Sequence, residues 1–259
     1  MRQSSNVSLP ATFFIAAALA IAPAVSASPP EPPQHITQAI ANADRPQADR
    51  DRDADRKPAQ VLAFFGVSPG MTMLDLQSGG GYYTEILSSA VGSAGKVYAH
   101  NDDLYWGIVK DRVGERYGRL KNVVPVQANL PDLAVEPDSA DIALLVLAFH
   151  DFYYTPDRRP EAVDVPAALA AIKRALKPGG VFGVIDHAAK AGSPPETGHT
   201  LHRIDEALVK RLALEAGFVQ DGEADFLRNP DDDRTQNPFA EGLRGKTDRF
   251  ILLFRKPKS

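Results

Sequence analysis

From residue 59 to the C-terminus, short apolar runs alternate with stretches in which apolar positions recur every three or four residues. The short runs predict β-strands at residues 71–76, 96–100, 123–127, 142–147, 181–185 and 250–254. Their near-continuous hydrophobicity is typical of strands whose two faces are both covered. The periodic stretches predict helices at residues 83–91, 166–177 and 204–216. This alternation predicts an α/β fold with a parallel sheet. Because no helix follows the last strand, we expect it to pair antiparallel at the sheet edge.

The first thirty residues have a different pattern. Arg2 is followed by an apolar stretch at residues 11–22, and then by the small-residue sequence Val25-Ser26-Ala27 before Ser28. This order predicts a secretory signal peptide over residues 1–27. The apolar stretch is shorter than the ~20 residues that span a bilayer. We therefore expect a periplasmic or secreted protein, with no stable membrane span once the peptide is removed.

The rest of the chain divides into two predicted parts. Residues 28–47 are predicted to be a linker, since the Ser-Pro-Pro-Glu-Pro-Pro sequence at 28–33 is unsuited to regular structure. Residues 48–259 are predicted to be the folded domain. The mixed charges at residues 44–58 favour a solvated helix or arm over a binding segment.

Composition and charge exclude several classes of protein. The chain has no Cys, which excludes disulfides, thiolate zinc sites and a cysteine nucleophile. It carries 29 Lys and Arg against 33 Asp and Glu, a formal net charge of -4. A protein that follows the phosphates of DNA or RNA usually has a basic surplus, so we expect no nucleic-acid partner.

The strongest local signal is a glycine-rich loop that follows the first predicted strand and opens a helix. It has the sequence Leu74-Asp75-Leu76-Gln77-Ser78-Gly79-Gly80-Gly81-Tyr82. Glycines here let the backbone approach a ligand closely, and the start of the helix offers free N–H donors. A tight strand-to-helix turn without a ligand would use similar residues, but the acid at the strand end favours a binding site.

This loop resembles that of the class I S-adenosylmethionine-dependent methyltransferases, and the resemblance covers most of residues 59–259. Asp75, Gly79 and Gly81 match the family's acid-x-Gly-x-Gly-x-Gly loop, and Leu176-Lys177-Pro178-Gly179-Gly180 matches its sequence before the fifth strand. Stretches at residues 201–205, 226–230 and 245–250 resemble a smaller group of exported predicted methyltransferases. The resemblance implies a Rossmann-like, doubly wound α/β fold whose seven-stranded sheet is mostly parallel, here with an antiparallel C-terminal edge strand.

The resemblance also implies S-adenosyl-L-methionine as the cofactor and suggests which residues hold it. These are Asp75, Gln77, Gly79, Gly81 and Tyr82 for the methionine end, Asn101 for the ribose, and Asn129 and Leu130 for the adenine. Gln77 stands where the family has glycine, and Asn101 and Asn129 stand where an acid is usual. A neutral amide lacks the charge-assisted part of a hydrogen bond, so we expect weak cofactor binding.

A candidate base lies after the fourth predicted strand, in the sequence Phe149-His150-Asp151-Phe152-Tyr153-Tyr154. Sites in α/β proteins form at this carboxyl edge of the sheet. His150 or Asp151 is expected to remove a proton from the acceptor. The alternative is that His150 only hydrogen-bonds the loop. Asp186-His187, after the fifth strand, resembles a divalent-cation site only loosely, so we predict no metal and a supporting role.

Together these features predict a methyltransferase acting on a small-molecule acceptor, in which the rate comes mainly from proximity and orientation. The predicted export separates the protein from the cytosol, where the cofactor is made. Two alternatives therefore stay open. One is a non-catalytic periplasmic ligand-binding protein on the same fold, and the other is an envelope interaction protein whose pocket is vestigial.

Overall fold

The computed structural model describes residues 31–258 of the chain, so the predicted signal peptide at residues 1–27 lies outside the described residues. The helices are α1 (Gln34–Ala41), α2 (Gln47–Arg50), α3 (Asp53–Arg56), α4 (Pro58–Phe64), α5 (Tyr82–Val91), α6 (Asp103–Arg119), α7 (Val165–Ala175), α8 (Thr197–Leu201) and α9 (Glu206–Glu215). The strands are β1 (Thr72–Leu76), β2 (Lys96–Asn101), β3 (Val123–Gln127), β4 (Ala140–Val146), β5 (Leu176–His187), β6 (Val219–Ala224) and β7 (Arg249–Arg255). None of the helices between residues 31 and 258 combines the length and apolarity needed to cross a membrane.

The strands form one sheet in the order β3-β2-β1-β4-β5-β7-β6. The first five strands of the chain run parallel, and β7 runs antiparallel to both of its neighbours. The predicted Rossmann-like α/β fold is confirmed. One detail is corrected, because β7 lies one strand inside the edge. β7 pairs with β5 on one side and with β6 on the other, and all its residues but the last are buried. The more polar β6 supplies the exposed edge.

The core covers both faces of this sheet. Met73 of β1 packs into one apolar cluster, whereas Leu74 and Leu76 pack into the other, as expected for alternating side chains of a central strand. Helices α1, α4 and α5 contribute to the first cluster, and α7 and α9 contribute to the second. With both faces covered, the loops at the carboxyl ends of the parallel strands are the part of the sheet left open for a site.

The predicted linker is wrong for residues 34–41, which form α1. Ile36 and Ala39 of this helix are buried, and the helix packs against α5. The apolar positions 36, 39 and 40 recur on one helical face, and burying that face stabilises the helix on the domain.

The charged run at residues 44–58 also differs from the predicted solvated arm. Arg45 is buried and donates to both carboxylate oxygens of Asp53, at 2.7 Å each. The hydroxyl of Tyr82, at the start of α5, donates to the same carboxylate at 2.6 Å. These bonds hold α3 and the turn before α2 against the beginning of α5, beside the glycine-rich loop.

Candidate active site at the carboxyl edge of the sheet

The glycine-rich loop turns sharply from β1 into α5. Gly79 and Gly81 have φ values of 55° and 84°, in the left-handed region that favours glycine. A Cβ atom at Gly81 would lie 2.9 Å from Cδ of Arg116 and 3.0 Å from Cε1 of Tyr117, so no larger residue fits without displacing α6 side chains. The predicted role of these glycines in a tight turn agrees with this geometry.

Gln77 adopts a left-handed conformation as well, with φ of 49°. Its side chain donates from Nε2 to Oδ2 of Asp102 at 2.7 Å, and its Oε1 accepts from the backbone N–H of Asp102 at 3.0 Å. Asp102 also caps α6 by accepting from the N–H of Tyr105 at 2.8 Å, and it accepts from Nη1 of Arg159 at 2.9 Å. The amide at position 77 therefore ties the loop to the start of α6, a contact that glycine could not make.

Asn101, the predicted ribose ligand, is buried under the loop. Its Oδ1 accepts from the N–H of Gly79 at 2.9 Å, and its Nδ2 donates to Oγ of Ser78 at 2.9 Å. Both ends of the amide are thus used to hold the loop. Asn101 therefore shapes the turn, and its contact with the ribose stays a prediction.

Six of the predicted residues line one cavity of about 480 Å³, which we call the loop cavity. They are Asp75, Gln77, Gly79, Tyr82, His150 and Asp151. Gly81 does not line it and instead occupies the N-cap position just before α5. The carboxyl ends of β1 and β4 therefore bring the predicted cofactor loop and the predicted base together, as the parallel sheet requires.

Asn129 and Leu130 line a different cavity of about 350 Å³, the Asn129 cavity, together with Asp102 and Asp103. Nδ2 of Asn129 donates to Oδ2 of Asp103 at 3.3 Å. Gln77 lines the loop cavity and Asp102 lines the Asn129 cavity, so the hydrogen bonds between these two residues lie between the cavities. Asp103 is exposed and is the carboxylate best placed to meet hydroxyl groups there.

Asp75 is a buried carboxyl at the end of β1. Burial raises its pKa to about 7, although the hydroxyl of Thr84 donates a hydrogen bond of 2.6 Å that favours the charged form. The ionised carboxylate is therefore weakly stabilised by the protein itself. A cationic group in the loop cavity would favour ionisation, because opposite charges in a buried site attract strongly.

His150 lies between two carboxylates. Its Nδ1 is 2.7 Å from Oδ1 of Asp186, and its Nε2 is 3.4 Å from Oδ1 of Asp151. Burial alone would lower the pKa of His150, but these two charges outweigh it and raise that pKa to about 9. His150 is then protonated at neutral pH, and an imidazolium cannot accept a second proton.

Asp151 is surrounded by donors as well. The hydroxyl of Tyr105 donates to its Oδ2, and Nδ1 of His202 lies 3.4 Å from its Oδ1. Burial raises the pKa of Asp151, but the charge of His150 and these hydrogen bonds outweigh burial and bring the pKa below its usual value. His150, Asp151 and His202 each place one donor atom within 4.8 Å of the others, close enough to hold a metal ion.

His187, at the end of β5, is a site residue whose importance the sequence did not reveal. Its Nδ1 lies 2.7 Å from Oγ1 of Thr247, and its Nε2 makes no hydrogen bond within residues 31–258. Burial lowers the pKa of His187 well below its usual value, and the positive charges of His150 and Arg249 act in the same direction. In the tautomer that donates from Nδ1 to Thr247, the neutral ring keeps a free lone pair on Nε2, where it can accept a proton.

Comparison with known proteins finds a methyltransferase domain in the central part of the chain. Residues 74–184 match a family profile described as a methyltransferase domain. The ubiquinone/menaquinone biosynthesis C-methyltransferase UbiE of Shewanella oneidensis is 32% identical over 122 residues, which cover 47% of this chain and 44% of that protein. The chain thus spans less than half the length of the curated relatives that it matches.

Two solved structures share the fold. A SAM-dependent methyltransferase from Aquifex aeolicus is 24% identical with a TM-score of 0.55, and the match covers 84% of this chain and 97% of that one. Phosphoethanolamine N-methyltransferase 2 of Haemonchus contortus, solved with S-adenosyl-L-methionine, is 16% identical with a TM-score of 0.54, and the match covers 79% of this chain and 52% of that one. With the glycine-rich loop after β1 and the strand order described above, these matches confirm the resemblance to class I S-adenosylmethionine-dependent methyltransferases that the sequence shows, in the fold and in a methyltransferase domain at residues 74–184.

Proposed function

We propose that the protein transfers a methyl group from S-adenosyl-L-methionine to a small-molecule acceptor. The observation that carries this proposal is the glycine turn between β1 and α5, which opens with Asp75 into a cavity of about 480 Å³. A turn of this shape brings backbone N–H groups and an acid to one ligand, and the family match spans it.

The residues present fit this cofactor at both ends. Asp75 and the loop at residues 77–81 would hold the amino-acid end, where the raised pKa of Asp75 leaves a carboxyl that a cationic amino group can ionise. Asn129 and Leu130 would contact the adenine, as predicted. We assign the ribose to Asp103 rather than to Asn101, because Asp103 is exposed in the Asn129 cavity whereas Asn101 lines neither this cavity nor the loop cavity. A ligand that spans both cavities must pass the contact between Gln77 and Asp102.

When bound, S-adenosylmethionine supplies a methyl group on a positively charged sulfur. The chain's own contribution is to orient the acceptor and to take its proton. His187 is the group that we propose for this proton, because it lines the loop cavity and its Nε2 makes no hydrogen bond within the described residues. Asp151 is the second candidate, and His150 would hold a proton between Asp151 and Asp186.

The proposal is tested by turnover. Formation of S-adenosylhomocysteine should be measured in the presence of pooled small molecules from cell extract, first with the wild-type protein and then with His187→Gln. A positioned base contributes about 10²–10⁴-fold, so for a hydroxyl or ammonium acceptor the variant should lose turnover by that factor. His199→Gln is the matched control, since His199 bonds Thr155 and lines none of the cavities described here.

Calorimetry with S-adenosylhomocysteine separates the alternatives. Wild-type protein that binds this product and never forms it would favour the non-catalytic ligand-binding protein. Wild-type protein that does not bind it at all would contradict the proposed function.

A further inference from the structure

A third cavity, of about 440 Å³, adjoins the loop cavity, and Arg52, Arg56 and His187 line both. We call it the arginine cavity, because it is lined by Arg52, Arg56, Arg244 and Arg249. These side chains come from α3 and the turn before it, from the loop that precedes β7, and from β7 itself. Segments far apart in the chain thus direct the same functional group to one place.

Arg56 has no carboxylate partner in the described part of the chain. Within residues 31–258 its guanidinium makes neither an ion pair nor a hydrogen bond, and it lies 4.5 Å from the centre of the Tyr82 ring. Burial lowers the pKa of Arg56, which means that the charged form has lost water without gaining a matching anion. A guanidinium in this state has unused donors for a ligand.

Arg249 is also buried, and it makes no ion pair within residues 31–258. Its Nη1 donates to the carbonyl of Asp55 at 2.9 Å, and its Nε donates to Oγ1 of Thr247 at 3.1 Å. The remaining bond goes to the carbonyl of Gly245, so every acceptor is neutral. Burial lowers the pKa of Arg249, and the charge of Arg56 acts in the same direction.

The neighbouring structural arginines differ in this respect. Arg45 pairs with Asp53 at 2.7 Å, and Arg116 pairs with Asp49 at 2.8 Å. Where this region uses arginine to hold elements together, it therefore supplies a carboxylate. Asp55 is the one acid that lines the arginine cavity, and it makes no ion pair within the described residues.

We propose that the arginine cavity binds an oxyanion group, such as a carboxylate, phosphate or sulfate, carried by the methyl acceptor. This inference rests on the proposed function and names its substrate class. Guanidinium groups present paired N–H donors that match the geometry of such oxygens. Arg52 pairs with Asp49, but Arg56, Arg244 and Arg249 make no ion pair within the described residues and face one aspartate, so they form a local positive field that selects an anion.

His187 links the arginine cavity to the proposed proton transfer. It lines both cavities, so an acceptor anchored through its anion in the arginine cavity would extend past His187 toward the glycine-rich loop. The proton-accepting nitrogen would then lie between the anchor and the methyl donor's site. Phe239 also lines both cavities, and its ring centre lies 5.5 Å from Cζ of Arg244. We expect Phe239 to contact the apolar part of the acceptor.

The test uses inorganic phosphate as the probe and the full mature chain. Thermal unfolding should be followed as phosphate is added, with potassium chloride at matched ionic strength as the screening control. We expect a saturable rise of the unfolding midpoint with phosphate beyond that with chloride, because a ligand that binds the folded state stabilises it. Arg56→Gln and Arg244→Gln should each weaken the apparent phosphate affinity at least tenfold, since each removes a charged donor. Arg211→Gln removes the same charge at an exposed position of α9 and should behave as wild type.

Arg244 is exposed, so its variant keeps the proposal testable even where Arg56→Gln folds poorly. Equal responses to phosphate and chloride, or equal phosphate affinities for Arg244→Gln and Arg211→Gln, would overturn the inference. S-adenosylhomocysteine affinity is measured on the same samples. Product binding without phosphate binding overturns the anion site alone, whereas phosphate binding without product binding overturns the assignment of the anion to a methyl acceptor.

Discussion

At the scale of single residues, Asp75 shows how a site residue affects stability. The carboxyl is buried at the end of β1, and its pKa is raised to about 7 from an ordinary 3.8. The folded state therefore binds a proton more tightly than the unfolded chain between these two pH values. Stability should fall as the pH rises through this range, by about 4 kcal/mol in all, since each pKa unit corresponds to about 1.4 kcal/mol.

Asp75→Asn removes this dependence. We expect the variant to be more stable than wild type at pH 8, by up to about 4 kcal/mol, and nearly equal to it at pH 4, because Asn keeps an acceptor for the Thr84 hydroxyl. S-adenosylhomocysteine should bind it more weakly, since the amide cannot pair with a cationic amino group. Denaturant unfolding at both pH values measures the first effect, and calorimetry measures the second. Equal stabilities at pH 8 would show that Asp75 is not destabilising when ionised.

The same scale shows which parts of the site the sequence could predict. The turn was predictable, because a left-handed backbone at Gly79 and Gly81 is dictated by residue type. The direction of the Asn101 side chain was not, because it depends on Ser78 and on the N–H of Gly79. His150 was found as a site residue from its position after β4, but its protonation depends on Asp186, which folding brings from 36 residues away.

At the scale of elements, apolar runs located six of the seven strands. β6 was missed because its sequence, Val-Gln-Asp-Gly-Glu-Ala, is polar, as suits an edge strand. That omission is also why β7 was predicted to lie at the edge. Helix α1 was missed for a different reason, since the Pro-rich sequence before it favoured a linker, and only the buried face formed by Ile36 and Ala39 shows otherwise.

The three C-terminal stretches that resemble an exported group form one buried network. Arg203 is fully buried and donates from Nη1 and Nη2 to the two carboxylate oxygens of Asp232, at 2.8 and 3.0 Å. Asp232 also accepts from the backbone N–H of Asp248, at 2.7 Å. This network ties the loop that carries Phe239 and Arg244 to β5 and β7, and so supports one wall of the arginine cavity.

Asp232→Asn should therefore destabilise the protein by about 3–5 kcal/mol, because it leaves the Arg203 guanidinium buried without its counter-charge. Asp231→Asn, one residue away and exposed, is the matched control and should change stability little. Burial raises the pKa of Asp232, but the hydrogen bonds from Arg203 and the backbone outweigh it, so the pKa lies below its usual value. The contribution of the pair is thus present above the ordinary pKa of an aspartate and is lost as the pH falls below it. Chemical denaturation of both variants near pH 7 measures the difference, and equal unfolding free energies would contradict a stabilising role.

At the scale of the whole molecule, composition gives the sign of the net charge but not its distribution. A chain of formal charge -4 gives no indication of an anion site, yet Arg56 and Arg249 meet across 193 residues of sequence separation to line one cavity. The charged run at residues 44–58 was expected to be solvated because its mixed charges do not show which of them folding will bury. Its arginines reach their positions only through the packing of α3 and the turn before α2 against α5.

Export is also a property of the whole chain, and we propose that the protein is cleaved after Ala27 and leaves the cytosol. Arg2, the apolar stretch at residues 11–22 and the small residues at 25–27 supply the three regions that a signal peptidase substrate needs. The first described helix begins at Gln34, so cleavage before Ser28 would leave all described elements intact. N-terminal sequencing of protein taken from fractionated cells should therefore give Ser28 as the first residue, in the periplasmic or secreted fraction.

Two variants sharpen this prediction. Ala27→Phe places a large side chain next to the cleaved bond, where small residues are required, and should accumulate uncleaved precursor. Ala24→Phe makes the same change outside the Val25-Ser26-Ala27 sequence and should be processed like the wild type. Protein that starts at Met1 and fractionates with the cytosol would contradict export. It would also remove the separation between the protein and the compartment in which S-adenosylmethionine is made, and so would strengthen the proposed methyl transfer.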